Sequence, residues 1–222
     1  MIDSKRVTLF LGHYGSGKTN VALNYALYLK NKGLKTAVYD LDIVNPYFRT
    51  LDGKSILDKE GIRLVVSRFA NSNVDLPSLP SEAYAIIDDK TSHAVVDVGG
   101  DDRGALALGR YLPEIKKENN YEMLLVANKY RPETRTIEGL IEIKEEIERV
   151  TGTLFTGVVN NSNLGRETTE ETVLSSIDFM QKFCDITKLP LKFTCVKREL
   201  SSIIIKDNKI LPMDLIKYGS WQ

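Results

Sequence analysis

Short apolar and β-branched runs recur at residues 5–11, 36–41, 62–66, 94–98, 123–127, 154–159 and 191–196, with helical spacing between most of them. Continuous runs of this length fit strands buried on both faces, and their alternation with helices predicts a mostly parallel sheet. Residues 20–32 are rich in Ala and Leu at helical spacing. The clearest helix spans residues 132–150: Pro132 suits its first turn, Ile137, Leu140, Ile141, Ile143, Ile147 and Val150 line one face, and Gly152 follows its end. Another spans residues 167–187, with Val173, Leu174, Ile177, Met180 and Phe183 inward. Cys184 continues that face, which marks it as a small core residue rather than a nucleophile. The turn-rich stretch 69–81, with Asn71, Asn73, Pro77 and Pro80, is expected to form a mobile surface loop. The expected fold class is α/β, a three-layer α/β/α arrangement around a mostly parallel twisted sheet, as a single domain over residues 1–222.

Residues 12–19 read Gly-His-Tyr-Gly-Ser-Gly-Lys-Thr, which fills every fixed position of the phosphate-loop pattern Gly-x-x-x-x-Gly-Lys-Ser/Thr. The motif falls where the first strand should end and the first helix begin, as a P-loop NTPase requires. Gly12, Gly15 and Gly17 let backbone N–H groups curl around phosphates, and the helix N-terminus adds its positive dipole end. Lys18 can reach the β- and γ-phosphates, and the Thr19 hydroxyl can ligate Mg²⁺. The candidate binding set is Gly12, His13, Tyr14, Gly15, Ser16, Gly17, Lys18, Thr19 and Asn20, and a nucleoside triphosphate with Mg²⁺ is the expected ligand.

Such a loop needs carboxylates at the same sheet edge to hold Mg²⁺ and orient water. Residues 94–100, Ala-Val-Val-Asp-Val-Gly-Gly, have the form of a Walker B strand, which makes Asp97 a candidate Mg²⁺ group. Its glycines could sense a γ-phosphate through backbone N–H groups. Asp101, Asp102 and Arg103 follow, and serve equally well as solvated loop charges. Asp40 and Asp42 lie two apart at the end of the strand at 36–41, so both project to one face. Two like charges there are costly unless a cation or water network lies between them, and from the residues alone one of the two handles the attacking water.

With these motifs in place, the sequence resembles the MinD/ParA family of P-loop ATPases, within the CobQ/CobB/MinD/ParA group of the SIMIBI class. The resemblance rests on residues 12–19, the acids Asp40 and Asp42, Asp97, and the later Asn-bearing strand ends. It implies that Asp42 orients or activates the attacking water while Asp40 joins the Mg²⁺ shell. It further implies an ATP/ADP-controlled switch acting on an unidentified protein partner through segments 46–49 and 99–103. One departure is plain: where most of the family carries a second loop lysine that reaches across a dimer, this chain has His13 and Tyr14. The nucleotide-dependent homodimer is therefore less firmly implied than the ATPase.

Asn128-Lys129-Tyr130-Arg131 begins like the guanine-reading Asn-Lys-x-Asp motif, but Arg131 offers only donors where guanine needs an acceptor, which favours ATP over GTP. In the resembled family an Asn after a late strand contacts adenine, and Asn160 or Asn161 matches that placement. Turn formation explains the same residues. An alternative function is an ATP-dependent kinase or ligase resembling the dethiobiotin synthetases, with Arg49 and the stretch 69–81 holding a substrate.

Composition narrows the partners. Lys plus Arg and Asp plus Glu both number 30, and this balance argues against a charge-driven nucleic-acid binder. The two cysteines suit neither a disulfide framework nor a Cys-x-x-Cys clip, so a reduced cytoplasmic setting is expected. No signal peptide or membrane-length apolar run is expected, and the last residues, 211–222, lack a basic amphipathic helix.

Overall fold

The computed structural model describes residues 2–41, 53–66, 84–99, 102–109, 111–202 and 209–215. Asp42, Arg49, segment 46–49, the stretch 69–81, Gly100 and Asp101 lie outside the described residues, as do the side chains of Asp102 and Arg103.

Strand β1 (Val7–Leu11) leads through the glycine loop into α1 (Lys18–Asn31), followed by β2 (Thr36–Leu41), α2 (Lys54–Lys59), β3 (Arg63–Val66), α3 (Ala85–Asp88) and β4 (His93–Val98). Next come α4 (Asp102–Gly109), α5 (Leu112–Lys117), β5 (Tyr121–Ala127), α6 (Ile137–Thr151), β6 (Gly157–Asn160), α7 (Glu170–Thr187), β7 (Leu191–Lys197) and β8 (Ile210–Met213). Among the described residues the eight strands form one sheet, ordered β3-β2-β4-β1-β5-β6-β7-β8, and every pairing is parallel. Parallel strands need crossovers and so bury both faces, which is why their sequences read as unbroken apolar runs.

The side-chain alternation of the strands separates two cores. Val38, Val95, Phe10 and Leu124 pack under Val21, Leu23, Tyr25 and Leu29 of α1, with Leu57 of α2 and Leu211 of β8. Tyr39, Val96, Leu9 and Leu125 point the other way, against Ile86, Leu108, Leu112, Ile115, Leu140, Met180 and Phe183 from α3 through α7. The three-layer α/β/α arrangement follows. Cys184 belongs to the second core.

Element boundaries move where local chemistry overrides periodicity. Pro132–Thr134 forms a 3₁₀ turn, and α6 starts only after Thr136, whose side chain accepts from the Gly139 N–H. Residues Gly165–Glu167 form another 3₁₀ turn, and a reciprocal capping box between Thr169 and Thr172 sets the start of α7. Leu174, expected inward, is 47% exposed, whereas Val173, Met180 and Phe183 are buried. Leu154 is 72% exposed, and β6 begins three residues later at Gly157. Strand β8 contains Pro212 and was not anticipated; it sits on the sheet edge, where a missing N–H is tolerated.

Candidate nucleotide site

All strands run the same way, so their C-terminal ends bring residue 12, Asp40, Asp97, Asn128, Asn161 and Lys197 to one edge. Gly12 has φ +154°, and a Cβ there would lie 2.4 Å from the Val126 carbonyl oxygen of β5. Gly17 has φ +87°, and its Cβ would lie 2.4 Å from Asn161 Nδ2. Both positions therefore require glycine, one through close approach of a strand and the other through left-handed backbone as well. Gly17 is the N-cap of α1, so the helix start opens directly onto the loop.

Lys18 is buried and its Nζ donates to the carbonyls of Gly12 at 3.0 Å and His13 at 3.1 Å. Thr19 is also buried, on the first turn of α1 beside Lys18, and Asn20 is half-buried. The Ser16 N–H donates to the His13 carbonyl at 3.1 Å, which closes a tight turn. Ser16 Oγ is buried and, among the described residues, has no hydrogen-bond partner. A polar atom left unmatched inside a glycine cradle fits a phosphate-bearing ligand. His13 Nδ1 lies 2.8 Å from the Tyr14 carbonyl oxygen and 3.8 Å from Glu133 Oε2, while the Tyr14 ring is 60% exposed.

Two side chains from distant loops hold successive carbonyls of the cradle. Arg131, after β5, donates Nε–H to the Gly15 carbonyl at 2.9 Å. Asn161, after β6, donates Nδ2–H to the Ser16 carbonyl at 2.7 Å. Local sequence gave no signal for either contact, since each spans more than a hundred residues. Asn160 faces inward and is fully buried: its Nδ2–H donates to Ser176 Oγ at 2.9 Å and its Oδ1 accepts from the Ser162 N–H at 3.1 Å.

The acids separate similarly. Asp40 and Asp97 are register partners on β2 and β4 and both are buried. They share the sheet face covered by α1, because Val38 and Val95, two residues earlier on each strand, pack there. The carboxylates thus stand on the side of the sheet from which Thr19 approaches. Among the described residues no cluster of three or more His, Cys, Asp or Glu side chains assembles.

Beside the loop, a small crevice is lined by Asn161, Asn163, Gly165, Thr168, Val173, Cys195, Val196, Lys197, Met213 and Leu215. Lys197, Met213 and Leu215 also border an open hollow of about 590 Å³ with Arg166, Arg198, Glu199 and Asp214. Residues 128–131 line neither. Asn128 instead braces the next loop, accepting from the Asn163 N–H at 3.3 Å, and Lys129 Nζ donates to Ser175 Oγ at 2.9 Å. Among the described residues, no carboxylate lines the crevice. Burial pushes the Cys195 thiol up, so it lines the crevice as a neutral apolar group.

The fold recurs in known structures. The cell division protein FtsY of Thermotoga maritima matches with TM-score 0.61 and 16% identity, over 86% of this chain and 61% of that one. The signal recognition particle receptor FtsY of Elizabethkingia anophelis, in complex with GDP, matches with TM-score 0.52 and 18% identity, over 88% and 58%. FtsY of Mycoplasma mycoides matches with TM-score 0.57 and 16% identity, over 88% and 63%. At these identities the likeness is one of fold, and the chain spans 58% to 63% of the lengths of these three proteins. No curated protein matches the sequence closely enough to count as a relative. The family model for the CobQ/CobB/MinD/ParA nucleotide-binding domain matches residues 12–172, from the first glycine of the loop into α7, and the chain belongs to that family.

Proposed function

We propose that the chain, read as one nucleotide-binding domain, is a Mg²⁺-dependent ATPase of MinD/ParA type whose nucleotide state controls its grip on a protein partner. The observation that carries this reading is the buried register pair Asp40 and Asp97, placed on the α1 face beside the phosphate loop. Thr19, Asp40 and Asp97 would hold Mg²⁺, and Asp42, two residues after Asp40 in sequence, would orient water. The ion supplies charge neutralisation and polarisation of the phosphates.

Lys18 would exchange its two carbonyl contacts for phosphate oxygens, and the helix start would face the same charge. ATP is preferred over GTP because the fourth position of the Asn128-Lys129-Tyr130-Arg131 stretch offers only donors, where guanine's N1–H and N2–H₂ need an acceptor. Segments 46–49 and 99–103 are the parts proposed to carry the nucleotide state to the partner and to a second copy of the chain. No helix among the described residues is long and apolar enough to cross a membrane.

Two substitutions test the reading. Lys18→Ala is expected to abolish ATP binding, and Asp42→Ala to leave binding intact while stopping hydrolysis. Retained hydrolysis in both variants would overturn the proposal. Competition of GTP against labelled ATP tests the base preference, with equal affinity the contrary result.

A further inference from the structure

We propose that Arg131 is a positioning residue of the phosphate loop, supplying from the same chain both a latch on the loop backbone and a cation beside the polyphosphate. This rests on the nucleotide-binding reading above. Arg131 comes from the turn after β5, more than a hundred residues from the loop, yet its Nε–H meets the Gly15 carbonyl at 2.9 Å. Its guanidinium packs close to Gly15: a Cβ on that glycine would sit 3.7 Å from Nε and 3.9 Å from Cζ. Among the described residues this is the only hydrogen bond of the Arg131 side chain, which is exposed.

The contact has a geometric consequence. In a trans peptide the C=O and the next N–H point in opposite directions, so holding a carbonyl fixes where the following N–H aims. Arg131 fixes the 15–16 peptide and Asn161, through the Ser16 carbonyl, fixes the 16–17 peptide. The fixed Ser16 N–H donates across the turn to the His13 carbonyl, the same oxygen that Lys18 holds. One arginine therefore sets a turn on which the loop lysine also depends.

Its charge matters as well. A triphosphate brings several negative charges, and His13 is already engaged with the Tyr14 carbonyl and stands near Glu133. Arg131 brings a second cation, beside Lys18, into contact with the loop. An arginine donor keeps its charge at every working pH and can turn its outer amines toward an oxyanion while Nε stays bound. A role in phosphate affinity should therefore be independent of the base.

Calorimetric titration of ATP, GTP, ADP and inorganic tripolyphosphate into wild type, Arg131→Ala, Arg131→Lys and Lys18→Ala tests this. Arg131→Ala is expected to weaken all four ligands in parallel, by about tenfold or more, with the ATP to GTP ratio unchanged. Arg131→Lys is expected to recover most of that loss, and thermal melts check that each variant is folded. Wild-type affinity in folded Arg131→Ala would overturn the role of Arg131 alone. So would a changed ATP to GTP ratio with tripolyphosphate affinity intact, which would make Arg131 a base reader. Loss of binding in Lys18→Ala supports the nucleotide reading whatever Arg131 does, whereas wild type that bound none of the four would overturn both.

Discussion

Asp40 of β2 and Asp97 of β4 are direct register partners, at 2% and 3% exposure, on the sheet face that α1 covers. Adjacent parallel strands put such side chains within a few ångströms of each other, and two buried carboxylates at that spacing repel unless a cation or proton is shared. Keeping both charged there calls for compensating charge or hydrogen bonds. A bound Mg²⁺ would supply charge of that kind.

That relationship predicts a metal-specific defect. Asp97→Asn removes one charge and keeps the shape, so ADP affinity measured in EDTA is expected to stay within a factor of about two. Mg²⁺ should then fail to raise affinity for ATP, a loss of about tenfold or more relative to wild type. Isothermal titration with and without Mg²⁺ reads the difference. An equal Mg²⁺ effect in variant and wild type would remove Asp97 from the metal site.

The two neighbouring asparagines are predicted to fail in different ways. Asn160 is fully buried, and Asn160→Ala strips partners from Ser176 Oγ and the Ser162 N–H, which should cost about 1–3 kcal/mol of stability by urea denaturation. Its folded fraction should bind ATP normally. Asn161→Ala frees the Ser16 carbonyl instead, so its main effect is expected on nucleotide affinity. The reverse pattern would make Asn160 the ligand-contacting residue.

Much of this architecture was legible in sequence because parallel strands between helices are apolar throughout and need no long-range information to be recognised. The runs at 36–41 and 191–196 emerged almost to the residue as β2 and β7. The loop at 12–19 was legible for a similar reason: its glycines answer local demands for positive φ and for empty space against β5. What sequence could not supply was partnership across the sheet. Arg131 looked like the failed fourth position of a base-reading motif, yet β5 is the neighbour of β1, so its turn falls on the phosphate loop instead. Asn160 and Asn161 were indistinguishable by spacing, but strand alternation turns one into the core and the other onto the loop. Strand β8 escaped because Pro212 speaks against a strand unless the edge position is known.

The two thiols are predicted to be inert in the folded protein. Burial, with Asp185 adding to it, pushes the Cys184 thiol up to about 11, and burial alone pushes Cys195 further. Since only the thiolate reacts, iodoacetamide at pH 8 should modify neither until denaturant is added. Rapid labelling of Cys195 that nucleotide suppresses would instead show that the crevice opens in solution.

An ion pair between a buried arginine and a partly buried glutamate at the opposite end of the sheet should govern acid stability. Arg6, 6% exposed, grips Glu118 through Nε and through Nη2, the latter 2.5 Å from Oε2, and also donates to the carbonyls of Ile86 at 2.9 Å and Asp89 at 3.1 Å. Lys90 Nζ reaches the same carboxylate at 2.6 Å. Hydrogen bonding from Arg6 holds the Glu118 carboxyl below its ordinary value of 4.5, with a smaller contribution from Lys90. Because the folded state resists protonation more than the unfolded chain does, the pair's stabilisation is complete above that value and fades as pH falls through the lowered one. Glu118→Gln is therefore expected to cost about 2 kcal/mol at pH 7, below the range for a fully buried pair because Glu118 is partly exposed. Between pH 5 and about pH 3 the variant should lose less stability than wild type, so the two curves converge. The exposed pair of Arg198 and Asp214 is the control, where Asp214→Asn should shift stability by less than about 1 kcal/mol. Urea midpoints taken across that pH range decide the matter, and parallel curves for wild type and Glu118→Gln would show that acid sensitivity arises elsewhere.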